Sequence, residues 1–283
     1  MKIKLLSDST CDLPNELISK YDISIIPMHV VMGGISYDDS INLDPQQIYE
    51  WSDRTGKVPT TSAPSVGEIE EILKPYVDEF DQFILFSIAS GMSSSNQVMH
   101  LAVNYLGIDD RALVIDSGNL SVGIGLLLIK TAEMAKEGKN IREIETVLKQ
   151  LIPKVRSSFI VDSLTYLSRG GRCSGLSATA GSALRIHPMI SVSDGKMISA
   201  KKYRGKLDRI FLTYVDDLEL QLKNADRSRV FVTYSGDDTE IVSKIAEELK
   251  DKYGFEEVLI ARAGCVISSH CGPNALGIMF IEN

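Results

Sequence analysis

Phe83-Ile-Leu-Phe-Ser87 is a short, unbroken apolar run, followed by the hydroxyl-rich loop Ser90-Gly-Met-Ser-Ser-Ser95 and a helical pattern from Asn96 to Leu106. A run of that length and texture predicts a buried strand, and the order strand, loop, helix predicts a crossover unit. The same order recurs on both sides. Ile3 to Leu6 reads as a strand and Leu13 to Lys20 as a short helix with Pro14 near its start. Ile23 to Val31 reads as one strand. Pro45 to Arg54 and Val66 to Val77 read as helices, Ala112 to Ile115 as a strand, and Val122 to Lys136 and Ile141 to Pro153 as helices. Such alternation predicts a parallel sheet covered by helices on both faces.

The texture changes after residue 155. Phe159 to Asp162 reads extended, and glycines crowd the stretch at 170, 171, 175 and 181. Met189 to Val192 and Lys196 to Ala200 flank Asp194-Gly195, a hairpin signal. Leu207 to Leu222 predicts one long helix. Val230 to Tyr234, Ile241 to Lys252, Glu257 to Ile260 and Ile278 to Ile281 then predict strand, helix, strand, strand. The expected fold is α/β with two domains: residues 1–155 with a parallel sheet and 156–283 with a mixed sheet, a ligand lying between them.

With 283 residues and 44% hydrophobic content, the chain has material for a substantial core. A net charge of -8 argues against nucleic-acid binding through a general basic field. Cys11, Cys173, Cys265 and Cys271 lack zinc-site spacing, and four cysteines in a chain this long do not suggest a disulfide framework. They predict reduced thiols in a cytoplasmic protein. The apolar run at the N-terminus is too short for a signal peptide, and Val122 to Ile129 is too short to span a membrane.

In an open parallel sheet, ligands bind beyond the carboxyl ends of the strands. The Ser90–Ser95 loop lies at such an end, and its position before a helix suits either anion binding or plain capping. Thr60-Thr-Ser-Ala-Pro-Ser65 reads first as a turn and cap, with Ser62 or Ser65 as the capping hydroxyl. Its functional reading makes Thr61 and Ser62 donors to a ligand oxygen. His270 follows Ser268 and Ser269 and precedes the turn Cys271-Gly-Pro273, in a Gly-rich segment running from Gly264 to Gly277. No histidine pair has metal-ligand spacing, so no catalytic metal is expected. Arg172 follows Gly170-Gly171, where a helix C-cap at Gly170 is the plain reading. Arg204 belongs to the basic cluster Lys201-Lys-Tyr-Arg-Gly-Lys206. Hydroxyl loops and one histidine can hold a polar head group or form a nucleophile. A Ser/His hydrolase or acyltransferase would use Ser90 or Ser93 with His270, oriented by Asp8, Asp116 or Asp162. The chain lacks the Gly-x-Ser-x-Gly nucleophile elbow.

Taken together, these segments resemble the DegV family, the fatty-acid-binding proteins that serve bacterial fatty acid kinase. The resemblance runs almost end to end. It is carried by Asp8-Ser-Thr-Cys-Asp-Leu-Pro14, Thr61-Ser-Ala-Pro-Ser65, Ser90-Gly91, Val114-Ile-Asp-Ser117, Tyr166-Leu167 through Gly170-Gly-Arg172, and His270-Cys-Gly-Pro273. It implies a long-chain fatty acid held between two α/β domains, with no cofactor and no catalytic residue in this chain. Head-group contacts would fall on Thr61, Ser62, Ser90, Gly91, Ser93 and His270. Arg172 and Arg204 would engage a separate fatty acid kinase, which phosphorylates the carboxylate in a route to phospholipids. Loading and unloading imply transient contact with a membrane surface. Met92 stands where the family usually has Thr, His187-Pro188 where Lys-Pro is common, and Cys173 in place of Ile.

Overall fold

The structure is a computed structural model that describes residues 2–172, 186–237 and 239–283. Cys173, Gly175 and Gly181 lie outside the described residues. The strands are β1 (Ile3–Asp8), β2 (Ile23–Ile26), β3 (His29–Met32), β4 (Ile35–Asp38), β5 (Thr60–Ser62), β6 (Gln82–Ser87) and β7 (Ala112–Asp116), then β8 (Val155–Ile160), β9 (Ile186–Ser193), β10 (Lys196–Arg204), β11 (Ala225–Tyr234), β12 (Glu257–Arg262) and β13 (Leu276–Glu282). The helices are α1 (Asn15–Lys20), α2 (Pro45–Thr55), α3 (Val66–Leu73), α4 (Ser95–Tyr105), α5 (Val122–Lys136) and α6 (Ile141–Leu151), then α7 (Thr165–Gly170), α8 (Leu207–Asp217), α9 (Glu219–Lys223), α10 (Thr239–Tyr253) and α11 (Cys265–Cys271).

β2-β1-β6-β7 form the expected parallel sheet. Alternation along its strands feeds two faces. Leu6, Phe83 and Leu85 pack with Ile69 of α3 and Met99 of α4, while Leu5, Ile84 and Phe86 join the cluster containing α5. The second sheet, β10-β9-β8-β13-β11-β12, is mixed: β11 and β12 run parallel, and the other neighbours run antiparallel. At its hairpin, Asp194 and Gly195 both take positive φ, 48° and 69°, the geometry of a tight two-residue turn.

α5 joins the two sheets, touching β1 and β6 on one side and β8, β11 and β13 on the other. That double contact explains its apolar character all round, with Val122 to Ile129 wholly buried. Two glycines let it come close. A Cβ on Gly123 would lie 2.6 Å from Ser157 Oγ, and one on Gly125 would lie 2.6 Å from Leu13 Cδ2.

The structure departs from the sequence reading in four places. The single strand expected over Ile23–Val31 divides at Pro27, which offers no amide to a ladder. β2 stays in the parallel sheet and β3 enters a small antiparallel sheet, β4-β3-β5. Thr60–Ser62 is therefore a strand, and the cap beyond it is Ser65, paired reciprocally with Glu68. The helix expected over Leu207–Leu222 breaks at Leu218, whose amide reaches back to both Tyr214 and Val215. Within the Gly264–Gly277 segment, Cys265–Cys271 is helical. No helix among the described residues is long and apolar enough to cross a membrane.

Candidate ligand site

Four elements meet at one cavity of about 260 Å³. β5 supplies Thr61, held in register opposite Val30 of β3. The loop after β6 supplies Ser93, α11 supplies His270 in its last turn, and Arg172 follows α7. Thr61 and His270, separated by 209 positions, meet with Oγ1 2.9 Å from Nε2. With Nε2 protonated, the ring donates to Thr61, and the Thr61 hydroxyl can donate onward to a ligand oxygen. Ser93 Oγ accepts the Ser95 amide at 3.2 Å, which leaves its own proton available. Arg172 bonds the Gly170 carbonyl at 2.7 Å and is the only formally charged side chain among the described lining residues at neutral pH. Met28, Met92, Met197, Leu120 and Ile267 form apolar wall, so hydroxyls and a cation share one cavity with soft hydrophobic side chains.

Ser62 also lines the cavity. Ser90 and Gly91 do not appear in its described lining: they border an adjoining cleft of about 450 Å³ beneath the β9–β10 turn. The reason is local packing. The Ser90 amide donates to Asp116, and a Cβ on Gly91 would come within 2.8 Å of the Gly195 carbonyl. Arg172, whose functional reading is contact with a ligand anion or a partner surface, borders the cavity and is also exposed. Arg204 is exposed at the end of β10, away from the described lining. The hydrolase constellation does not assemble. Asp8 bonds Thr10, Ser95 and the Ile88 amide; Asp116 bonds the Ser90 and Gly118 amides; Asp162 lies 3.2 Å from His187. None orients His270, whose Nδ1 has no hydrogen-bond partner among the described residues.

Two sets of positioning groups escaped the sequence reading. Glycines let α7 pack directly on α11. A Cβ on Gly170 would collide with His270 Nδ1, and one on Gly272 would lie 2.5 Å from Tyr166 Cδ2. Gly170 is thus the last helical residue of α7, and Gly171, at φ 67°, takes the left-handed cap position that had been expected for Gly170. The second set is acidic. Asp39 accepts the Cys265 and Val266 amides at 2.7 and 3.3 Å, which caps α11, and Asp12 accepts the Gly264 amide at 2.9 Å and the Ser121 hydroxyl at 2.5 Å. Burial raises the pKa of Asp8, Asp12 and Asp39, against the lowering effect of these donors. The alternation of acids and hydroxyls in Asp8-Ser-Thr-Cys-Asp12 was the visible signal for this joint.

Burial, reinforced by Arg172, pulls the His270 pKa down to about 4. The unfolded chain takes up a proton near pH 6.5 and the folded one only near 4, so His270 contributes stability above pH 6.5 that is lost as pH falls toward 4. The loss is on the order of 3 kcal/mol. The raised carboxylates act in the opposite direction, so the expected result is a difference: urea titrations of His270→Gln should lack this acid-side decline. Parallel pH profiles for variant and wild type would contradict it.

The fold and site define a class: an α/β protein with an amphipathic small-molecule cavity between its sheets. A family model described as "Uncharacterised protein, DegV family" matches residues 2–283, and the chain belongs to the DegV family. Among solved structures, a DegV family protein of Thermus thermophilus described by its fatty acid binding is 27% identical, with full coverage of both chains and a TM-score of 0.91. DegV of Bacillus subtilis, described as a fatty acid binding protein, is 30% identical with full coverage of both and a TM-score of 0.85. A Streptococcus pneumoniae Fatty Acid Kinase B3 protein loaded with linoleic acid shares the fold at a TM-score of 0.85 and 19% identity, again over both whole chains.

Proposed function

We propose that this protein binds a long-chain fatty acid and presents its carboxylate to a separate fatty acid kinase for acyl phosphate formation. The observation that carries the reading is the make-up of the cavity: the donors Thr61, Ser93, His270 and Arg172 share it with methionine and aliphatic wall, and no acidic side chain is in the described lining. A carboxylate needs several donors when it leaves water, and these groups supply them. Burying roughly 14 methylenes at about 0.8 kcal/mol each provides on the order of 11 kcal/mol before ordering costs, so the tail supplies most of the affinity. The head group stays beside exposed Arg172, where a kinase active site can reach it. The fatty-acid-binding descriptions of the Thermus and Bacillus proteins support the ligand class. The kinase partner is supported by the motif resemblance, with Arg172 and Arg204 as the contact residues. The chain then acts as a carrier in the cytoplasm, and the phosphoryl chemistry belongs to the kinase.

Native mass spectrometry of freshly purified protein, followed by lipid extraction, tests the ligand. The expected result is a stoichiometric fatty-acid adduct. Thr61→Val should weaken binding by about 1 to 3 kcal/mol, the cost of stranding a buried polar group. Protein that takes up no acid from a mixed pool would refute the reading, and unchanged affinity in Thr61→Val would remove Thr61 from the head-group site. Added fatty acid kinase and ATP should convert the bound acid to acyl phosphate.

A further inference from the structure

A smaller chamber lies beside the ligand cavity. A second cavity, of about 20 Å³, shares Leu120, Ile267 and Cys271 with the first and reaches β11. That size suits one water-sized group. Thr233 of β11 lines it at 6% exposure, and Thr233 Oγ1 has no hydrogen-bond partner among the described residues. The two serine hydroxyls bordering the chamber are committed: Ser121 donates to Asp12, and Ser235 donates to the Gly272 carbonyl and accepts the Ala275 amide. One wall is closely set, because a Cβ on Gly277, opposite Thr233 in β13, would come within 2.8 Å of Phe159 Cβ and of the Ser158 carbonyl.

We propose that Thr233 is a specificity residue for acyl chains bearing a mid-chain hydroxyl. The inference rests on the fatty-acid reading. The chain runs past Leu120 and Ile267, and its hydroxyl turns into the chamber to exchange a hydrogen bond with Thr233 Oγ1. A methyl branch matches the chamber in size but offers Thr233 Oγ1 no partner, so the chemistry selects the hydroxyl.

The test is competitive loading of intact protein with stearate, positional isomers of hydroxystearate and a methyl-branched stearate, read by native mass spectrometry. Thr233→Val keeps the β-branched shape and removes only the hydroxyl. In wild type, at least one hydroxy isomer should displace stearate with about a tenfold advantage, the equivalent of one hydrogen bond of about 1.4 kcal/mol. Thr233→Val should bring that ratio to about one. Equal loading of hydroxy and plain acids in wild type, an advantage that survives in Thr233→Val, or preference for the methyl branch would each overturn the proposal. Failure to load any acid would overturn the carrier reading as well, so the two failures are distinguishable.

Discussion

Asp39→Ala is expected to lower the unfolding free energy by about 4 kcal/mol and to abolish ligand uptake. Asp39 is 2% exposed and serves two backbone amides at the start of α11 together with the Ser9 and Ser40 hydroxyls. Removing the carboxylate strands these donors in a buried site, at about 1 to 3 kcal/mol for each that finds no new partner. The helix it caps has only seven residues, among them Val266, Ile267, Ser268 and Ser269, which are modest helix formers. Without its cap it has little local reason to persist, and His270 rides on its last turn. Asp39→Asn keeps one acceptor oxygen and should cost less, about 1 to 2 kcal/mol. Urea denaturation of the three proteins checks the order. Equal midpoints for wild type and Asp39→Ala would show that the cap does not hold α11.

Gly170→Ala is expected to cost about 1 to 3 kcal/mol through overpacking and to weaken carboxylate binding at least tenfold. The added methyl occupies the space beside His270 Nδ1, so either the imidazole turns away from Thr61 or α7 lifts from α11. A second substitution separates this from general damage. In a His270→Ala background the methyl meets no ring, so Gly170→Ala should then be nearly neutral for stability while binding stays weak. Additive costs in the double variant would show that the two residues do not act on each other.

Where local pattern and tertiary demand agree, the fold was readable residue by residue. The apolar runs of β1, β6 and β7, alternating with helical patterns, announced a buried parallel sheet. Asp194-Gly195 announced its turn, because few residue pairs tolerate two positive φ values in succession. The reading failed where distant parts of the chain supply the stabilisation. β5 exists because β3 pairs with it, and α11 because Asp39 and Asp12, 226 and 252 positions away from its first residues, accept its amides. The site divides in the same way. Thr61, Ser93 and His270 were recognisable as polar groups in apolar surroundings and by their motifs. That Ser90 and Gly91 turn toward a neighbouring cleft, and that Arg172 turns toward the cavity, depended on the β9–β10 turn and the packing of α7.

The alternation of strands and helices, the hydroxyls and histidine available to a site, and the lack of zinc-ligand spacing and of a nucleophile elbow are all legible in the linear order of residues. Which of those groups share one cavity, and what positions His270, follow from contacts made only in the folded chain. The reason is physical: periodicity and turn chemistry act between near neighbours in the chain, whereas a ligand site is built from contacts that close over some two hundred residues, as between Thr61 and His270 at a separation of 209.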